Sequence, residues 1–192
     1  MLREKLQNYN IILASGSPRR QQFFKDLDID FKIDLKPVDE VYPLELKGSE
    51  ITDYLADLKS KAFAALNEND VLITSDTIVW LNEKALGKPK NEDDAFHMLK
   101  ELSNTTHEVI TSISIKTKKS QKIINDITTV TFKTLSDDEI NYYIKNYKPF
   151  DKAGAYGIQE WIGFIGIDKI EGSYFNVVGL PVHKLYDELM NL

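Results

Sequence analysis

The chain has no cysteine, which removes disulfides, thiolate-held zinc or iron and thiol nucleophiles in one step and suits a reducing compartment. Only 9 Gly and 6 Pro occur among 192 residues, so collagen-like and low-complexity classes are excluded. Long apolar runs are missing as well. The segment 161–167 is among the longest, far below the ~18 residues of a membrane-spanning helix. Residues 1–10 lack the apolar stretch and small-residue cleavage site of a secretory signal, so a soluble, cytoplasmic protein is expected. The 3 histidines show no H-E-x-x-H spacing, and no G-x-S-x-G, Walker A or G-x-G-x-x-G sequence occurs. Hydrolase triads and P-loop chemistry are thereby disfavoured. Positive charge is in deficit, with 24 Lys and Arg against 30 Asp and Glu and a net charge of −6. Broad adhesion to nucleic acid or to an anionic membrane is therefore not expected, and any phosphate must be caught locally.

Apolar residues make up 42% of the chain. That is enough for a single domain over residues 1–192 that buries roughly 70% of its unfolded surface. Asn10 to Ala14 reads as a buried strand running into Ser-Gly-Ser-Pro, with Ser17 as helix cap and Pro18 as the first helical residue. Phe23, Phe24 and Leu27 supply that helix's inner face, and Phe31, Ile33 and Leu35 alternate as a second strand. Ile51, Tyr54, Leu55, Leu58, Ala62, Ala65 and Leu66 predict a one-sided helix from 50 to 66, with Lys61 at the rim of its apolar stripe. Val71 to Leu81 is the next strand, interrupted by Ser75, Asp76 and Thr77. Asn91 with Asp94, and Ser136 with Glu139, are capping boxes for two further helices, the second ending near Tyr147. Between them, 108–117 and 123–134 predict an antiparallel hairpin, and Pro181 opens a last helix. The expected class is α/β with a mixed sheet.

Ser15-Gly16-Ser17-Pro18-Arg19-Arg20 stands where a strand ends and a helix begins. Free N–H groups and the helix dipole favour an anion there, and two guanidinium groups can grip phosphate oxygens. An ordinary capped helix with solvated arginines fits the same residues. A carboxylate at Asp76, within an apolar strand, needs a metal or a lysine to compensate its burial, unless it marks an exposed strand end or an Asx turn. Lys88, before Pro89, and Lys152 are compact charges suited to an anionic leaving group, although most lysines are simply solvated. The glycines of residues 151–159 let backbone approach a ligand, and Gln159 offers a donor and an acceptor to a base edge; a glycine-rich connection explains them equally. Glu40 carries no signal by itself.

Taken together, residues 13–20, Ser75-Asp76-Thr77-Ile78-Val79, Gly87-Lys88-Pro89, residues 151–159 and Gly172-Ser173-Tyr174 with Val178-Gly179-Leu180-Pro181 resemble the Maf family over residues 11–185. The resemblance implies an α/β fold with a mixed twisted sheet, flanking helices and two lobes around a deep cleft, similar to the inosine triphosphate pyrophosphatases. It implies a nucleoside triphosphate pyrophosphatase that cuts between the α and β phosphates with the help of a divalent metal cation, Mg or Mn. The Tyr-Gly-Ile-Gln run resembles the branch acting on dTTP and UTP. Carried over residue by residue, Asp76 becomes the proton acceptor and, with Glu40, a metal ligand. Lys61, matched to a lysine of the second helix, and Lys88 join it as catalytic residues. Arg19, Thr77 and Gln159 set substrate choice, and Ser15, Ser17, Arg20 and Lys152 bind the nucleotide. The chain departs from the family pattern at Lys148, where relatives often have an acidic residue, and at Glu160, where many have glycine. The rival expectation is a non-catalytic nucleotide-binding regulator of cell division. Neither nucleic acid nor membrane is an expected partner, and a homodimer is compatible with the sequence.

Overall fold

A computed structural model describes residues 1–192. In chain order the elements are α1 (Leu2–Lys5), β1 (Asn10–Leu13), α2 (Pro18–Asp26), β2 (Phe31–Ile33), α3 (Ser49–Lys61), β3 (Asp70–Leu81), β4 (Lys84–Leu86) and α4 (Glu92–Leu102). There follow β5 (Thr106–Lys116), β6 (Gln121–Phe132), α5 (Asp137–Tyr147), a 3₁₀ turn at Ala153–Ala155, α6 (Trp161–Gly166), β7 (Ile167–Glu171), α7 (Tyr174–Val178) and α8 (Val182–Met190). The class is mixed α/β, with helices flanking a seven-stranded sheet of order β2-β1-β3-β5-β6-β7 in which β4 pairs with β3. β1 runs parallel to β2 and β3, whereas β4 and β7 pair antiparallel with β3 and β6. No helix is long and apolar enough to cross a membrane.

Local signals for helix ends translate directly. The Asn91 side chain accepts the Asp94 N–H at 2.8 Å, but the Asp94 carboxylate accepts the Lys90 N–H at 2.9 Å instead of closing the expected box on Asn91; Ser136 and Glu139 do cap each other's backbone N–H groups, at 3.2 and 2.7 Å. Pro18 is the first residue of α2 as expected, but the Ser17 side chain makes no capping bond. β2 is shorter than its alternation predicts; Leu35 lies beyond it, and Ile33 is exposed.

The larger difference is α3, which stops at Lys61 and leaves the expected positions 65 and 66 outside the helix. Its buried face consists of Ile51, Thr52, Leu55, Ala56 and Ser60. Two of these are hydroxyl residues that an apolar count passes over. Their burial is compensated: Thr52 Oγ1 shares a hydrogen bond with Ser112 Oγ at 2.6 Å, and Ser60 Oγ donates to the Asp57 carbonyl at 2.8 Å.

The chain divides into two compact units, with the division in β3 falling between Asp76 and Thr77. The first comprises 1–76, 111–126 and 179–192, around Leu13, Phe24, Val71, Ile73, Ile113, Leu185 and Leu189. The second comprises 77–110 and 127–178, around Val79, Leu99, Leu102, Phe132, Ile140, Tyr143 and Ile162.

Candidate active site

In the first unit, Thr74 Oγ1 donates to the Ala56 carbonyl at 2.6 Å, which fixes α3 against the face of β3 toward which residues 74 and 76 both point. Lys59 follows Ala56 by three residues and so emerges on the same side of α3. Its ammonium lies 2.6 Å from Asp76 Oδ1 and 3.0 Å from Glu40 Oε1. Asp76 is only 7% exposed, and an unpaired carboxylate at that depth would cost several kcal/mol. Lys59 offsets that cost. Burial still pushes the Asp76 carboxyl above the ordinary range, against the opposing pull of Lys59 and Arg20.

Arg20 is built into the same unit. Its Nε donates to the Gly179 carbonyl at 2.8 Å, and its Nη1 donates to the Ser75 carbonyl at 3.0 Å and to Ser15 Oγ at 3.4 Å. Burial draws its pKa down to about 10, so the group stays protonated at neutral pH. Ser15 Oγ also accepts the Ser17 N–H at 3.3 Å, which closes the turn ahead of α2. Ser75 Oγ is buried and has no partner. Ser17 and Arg19 are half-buried on the same turn and first helical residues.

In the second unit, buried Lys152 holds Asp151 Oδ1 at 2.7 Å and Glu160 Oε1 at 3.1 Å. Glu160 Oε2 accepts the Tyr143 hydroxyl, and the Tyr143 oxygen accepts the Gly157 N–H at 3.0 Å. Burial, then the Glu160 carboxylate, raise the Tyr143 phenol pKa well above its usual value, so it remains a donor. Gln159 Oε1 is buried without a partner. Gly154 has φ +67° and a hydrogen there instead of a Cβ that would lie 2.7 Å from Val79 Cγ2, so no side chain fits. Thr77 is half-buried in β3, and Lys88 is exposed ahead of α4.

The residues expected from sequence are thus distributed as two sets. Asp76 and Glu40 come together with Arg20, Ser15 and Ser17 nearby in the first unit; Lys152 and Gln159 lie on one short stretch of the second. Lys61 joins neither. Its ammonium pairs with Asp57 at 2.6 Å on an open face, with 68% of the side chain exposed. The lysine that reaches Asp76 is Lys59, because two residues along a helix turn a side chain by roughly 200°. The signal for Lys59 was its place four residues after buried Leu55. Tyr143 carries no signal in the sequence, Glu160 stands out only as a departure from the family pattern, and nothing local marks their contact.

Asp76 and Glu40 also supply two carboxylates that converge on one cationic group. Small hard dications bind through one or two carboxylates and complete their shell with water and phosphate oxygens. No group of three or more His, Cys, Asp or Glu side chains is arranged to hold a metal. The donor set fits a cation that arrives with a polyphosphate, not one caged by protein alone.

Known proteins resemble the chain in family, sequence and fold. The model of the family described as Maf-like protein matches residues 10–192. The dTTP/UTP pyrophosphatase of Flavobacterium johnsoniae is 65% identical over 193 residues, covering 100% of both chains. That of Christiangramia forsetii is 59% identical, covering 100% of this chain and 98% of its own. Among solved structures, the Ham1 protein of Staphylococcus aureus superposes with a TM-score of 0.56 at 20% identity, covering 95% of this chain and 98% of its own. A HAM1 protein from Coxiella burnetii gives 0.52 at 14% identity, covering 96% and 100%. At those identities the two structures speak for the fold.

Proposed function

We propose, on the premise that this chain belongs to the Maf family, that it hydrolyses dTTP and UTP between the α and β phosphates to give the nucleoside monophosphate and pyrophosphate. The observation that carries this reading is the Asp76 carboxylate, buried within a strand and held by Lys59 beside Glu40. Binding a polyanion needs cations; a buried anion in their midst is a cost that catalysis explains. With Oδ1 engaged by Lys59, Oδ2 is the oxygen that orients water and takes its proton. The raised pKa of Asp76 makes it a stronger acceptor than an exposed carboxylate. Water adds to the α phosphorus, the bond to the bridging oxygen breaks, and its electron pair leaves with pyrophosphate.

A divalent cation, held by Asp76 and Glu40, would supply charge neutralisation on the phosphates. Lys59 does the work expected of Lys61, keeping Asp76 ionised and in place, while Arg19 supplies positive charge for the departing group. Arg20 shapes the turn that presents the N-terminus of α2. Gln159 Oε1 is a buried acceptor in want of a donor, and the N3–H of uracil or thymine is one. Cytosine has no proton there, and Thr77 and Arg19 are further positions for substrate choice. The substrate is a free nucleotide, since a net charge of −6 suits neither nucleic acid nor an anionic membrane as partner.

The test is product analysis with UTP and dTTP in Mg²⁺. Equimolar monophosphate and pyrophosphate, abolished by a chelator, is the expected result. Orthophosphate release, or no turnover, would contradict the reading.

A further inference from the structure

The carboxylate of Glu160 is occupied at both oxygens, by Lys152 on one side and the Tyr143 hydroxyl on the other. The Tyr143 oxygen in turn receives the Gly157 N–H at 3.0 Å, and the Glu160 N–H donates to the Gly157 carbonyl at 3.0 Å. Residues 157–160 therefore form a turn whose two ends are fastened through a single side chain. Gly157 makes this possible. A Cβ there would lie 2.9 Å from Glu160 Cδ and 3.0 Å from Gln159 Nε2, so both side chains fold back across the position that glycine leaves open. The Gln159 amide is held in that fold with Oε1 buried and unpaired.

We infer that Glu160 is a positioning residue for base discrimination: by tying Lys152, Tyr143 and Gly157 together it fixes the Gln159 amide with its acceptor oxygen presented to the base. The inference rests on the reading of Gln159 as the group that meets the pyrimidine. Glu160 itself touches neither the base nor the phosphates and acts through its neighbours. Without its carboxylate the turn loses its link to Lys152 and to Tyr143, and the Gln159 amide is free to rotate. A rotated amide offers a donor in place of an acceptor, which suits the unprotonated N3 of cytosine.

The experiment compares kcat/KM for UTP and CTP in the parent enzyme, Glu160→Ala, Glu160→Gln and Tyr143→Phe, with thermal midpoints measured alongside. Glu160→Ala should lower the UTP-to-CTP ratio by about tenfold or more, the scale of one correctly placed hydrogen bond in a buried site. Tyr143→Phe, which cuts the link to Gly157, should move the ratio in the same direction. Glu160→Gln keeps one acceptor oxygen and should recover part of the loss. A purely structural Glu160 would lower the midpoint and reduce kcat/KM for both nucleotides in proportion; an unchanged ratio overturns the inference. If Glu160→Ala does not fold, unchanged ratios in the other two variants overturn it equally. A parent enzyme that turns over UTP and CTP alike, or neither, would instead overturn the reading of Gln159, and the inference with it.

Discussion

Each compact unit contains a largely buried lysine held by one little-exposed and one half-exposed carboxylate, and the two groupings differ in what fastens the less exposed one. Lys59 meets Asp76, fixed within β3, and Glu40, which lies in the irregular segment between β2 and α3 with 46% of its side chain exposed. Lys152 meets Asp151, its chain neighbour, and Glu160, which is itself fastened to Tyr143. The first grouping has a carboxylate that can change partners when a polyphosphate brings its own charges. In the second, Asp151 is as exposed as Glu40, but Glu160 is tied through the Tyr143 hydroxyl to the Gly157 N–H, and that tie holds backbone in place. On the proposed reading the same residue types serve chemistry in one unit and geometry in the other, and the contacts of the less exposed carboxylate tell the two apart.

The strongest way to break this contrast is to remove Lys59. Lys59→Met leaves the Asp76 carboxylate buried without its ion-pair partner and should destabilise the protein by about 3–5 kcal/mol as well as abolish turnover. Urea unfolding at neutral pH reads the first effect, and a loss below about 1 kcal/mol would show that Asp76 does not depend on Lys59.

Acid should strike the second unit through His107, whose ring lies 2.8 Å from the Tyr156 hydroxyl and whose pKa burial lowers to about 4. An unfolded histidine titrates near 6.5, so between roughly pH 4 and 6.5 the unfolded chain binds more protons and stability rises with pH. That contribution is complete above pH 6.5 and is lost as pH falls toward 4, by about 3 kcal/mol. His107→Gln should show a correspondingly smaller loss on acidification; equal losses would remove His107 from the account.

Arg20→Ala strips donors from the Ser75 and Gly179 carbonyls and should cost about 1.5–3 kcal/mol of stability in addition to weakening triphosphate binding. Weaker binding with unchanged stability would mean that Arg20 serves the ligand alone. The smallest effect belongs to Lys61→Met, which removes an exposed ammonium from an Asp57 that keeps its bond from Gln121 and should change stability by less than about 0.5 kcal/mol, with turnover preserved. A large loss of activity there would return Lys61 to the site.

Asp76 could be found from the sequence because a carboxylate in the middle of an apolar strand is a local anomaly with a physical cost. The cap at Asn91 and the capping box at Ser136 were legible because each signal lies within four residues of its effect. Lys59 was not. The inner face of α3 is carried partly by Thr52 and Ser60, whose hydroxyls find partners only in the folded chain, so a stripe drawn through apolar residues alone puts Lys61 at its rim and does not single out Lys59. Arg20 looked like a free phosphate ligand because Gly179, its acceptor, is 159 residues away. The Glu160–Tyr143 contact joins α5 to the turn before α6, and neither residue carries a pattern that predicts the other.

On the proposed reading, the buried Asp76 is the group through which the phosphoanhydride is cut. Asp76→Asn preserves shape and one acceptor oxygen while removing the anion. The measurement is single-turnover release of pyrophosphate from UTP in saturating Mg²⁺, with the thermal midpoint confirming an intact fold. A rate lower by about 10²-fold or more in a folded variant is the result expected of a lost general base or metal ligand. A rate near that of the parent would contradict the claim.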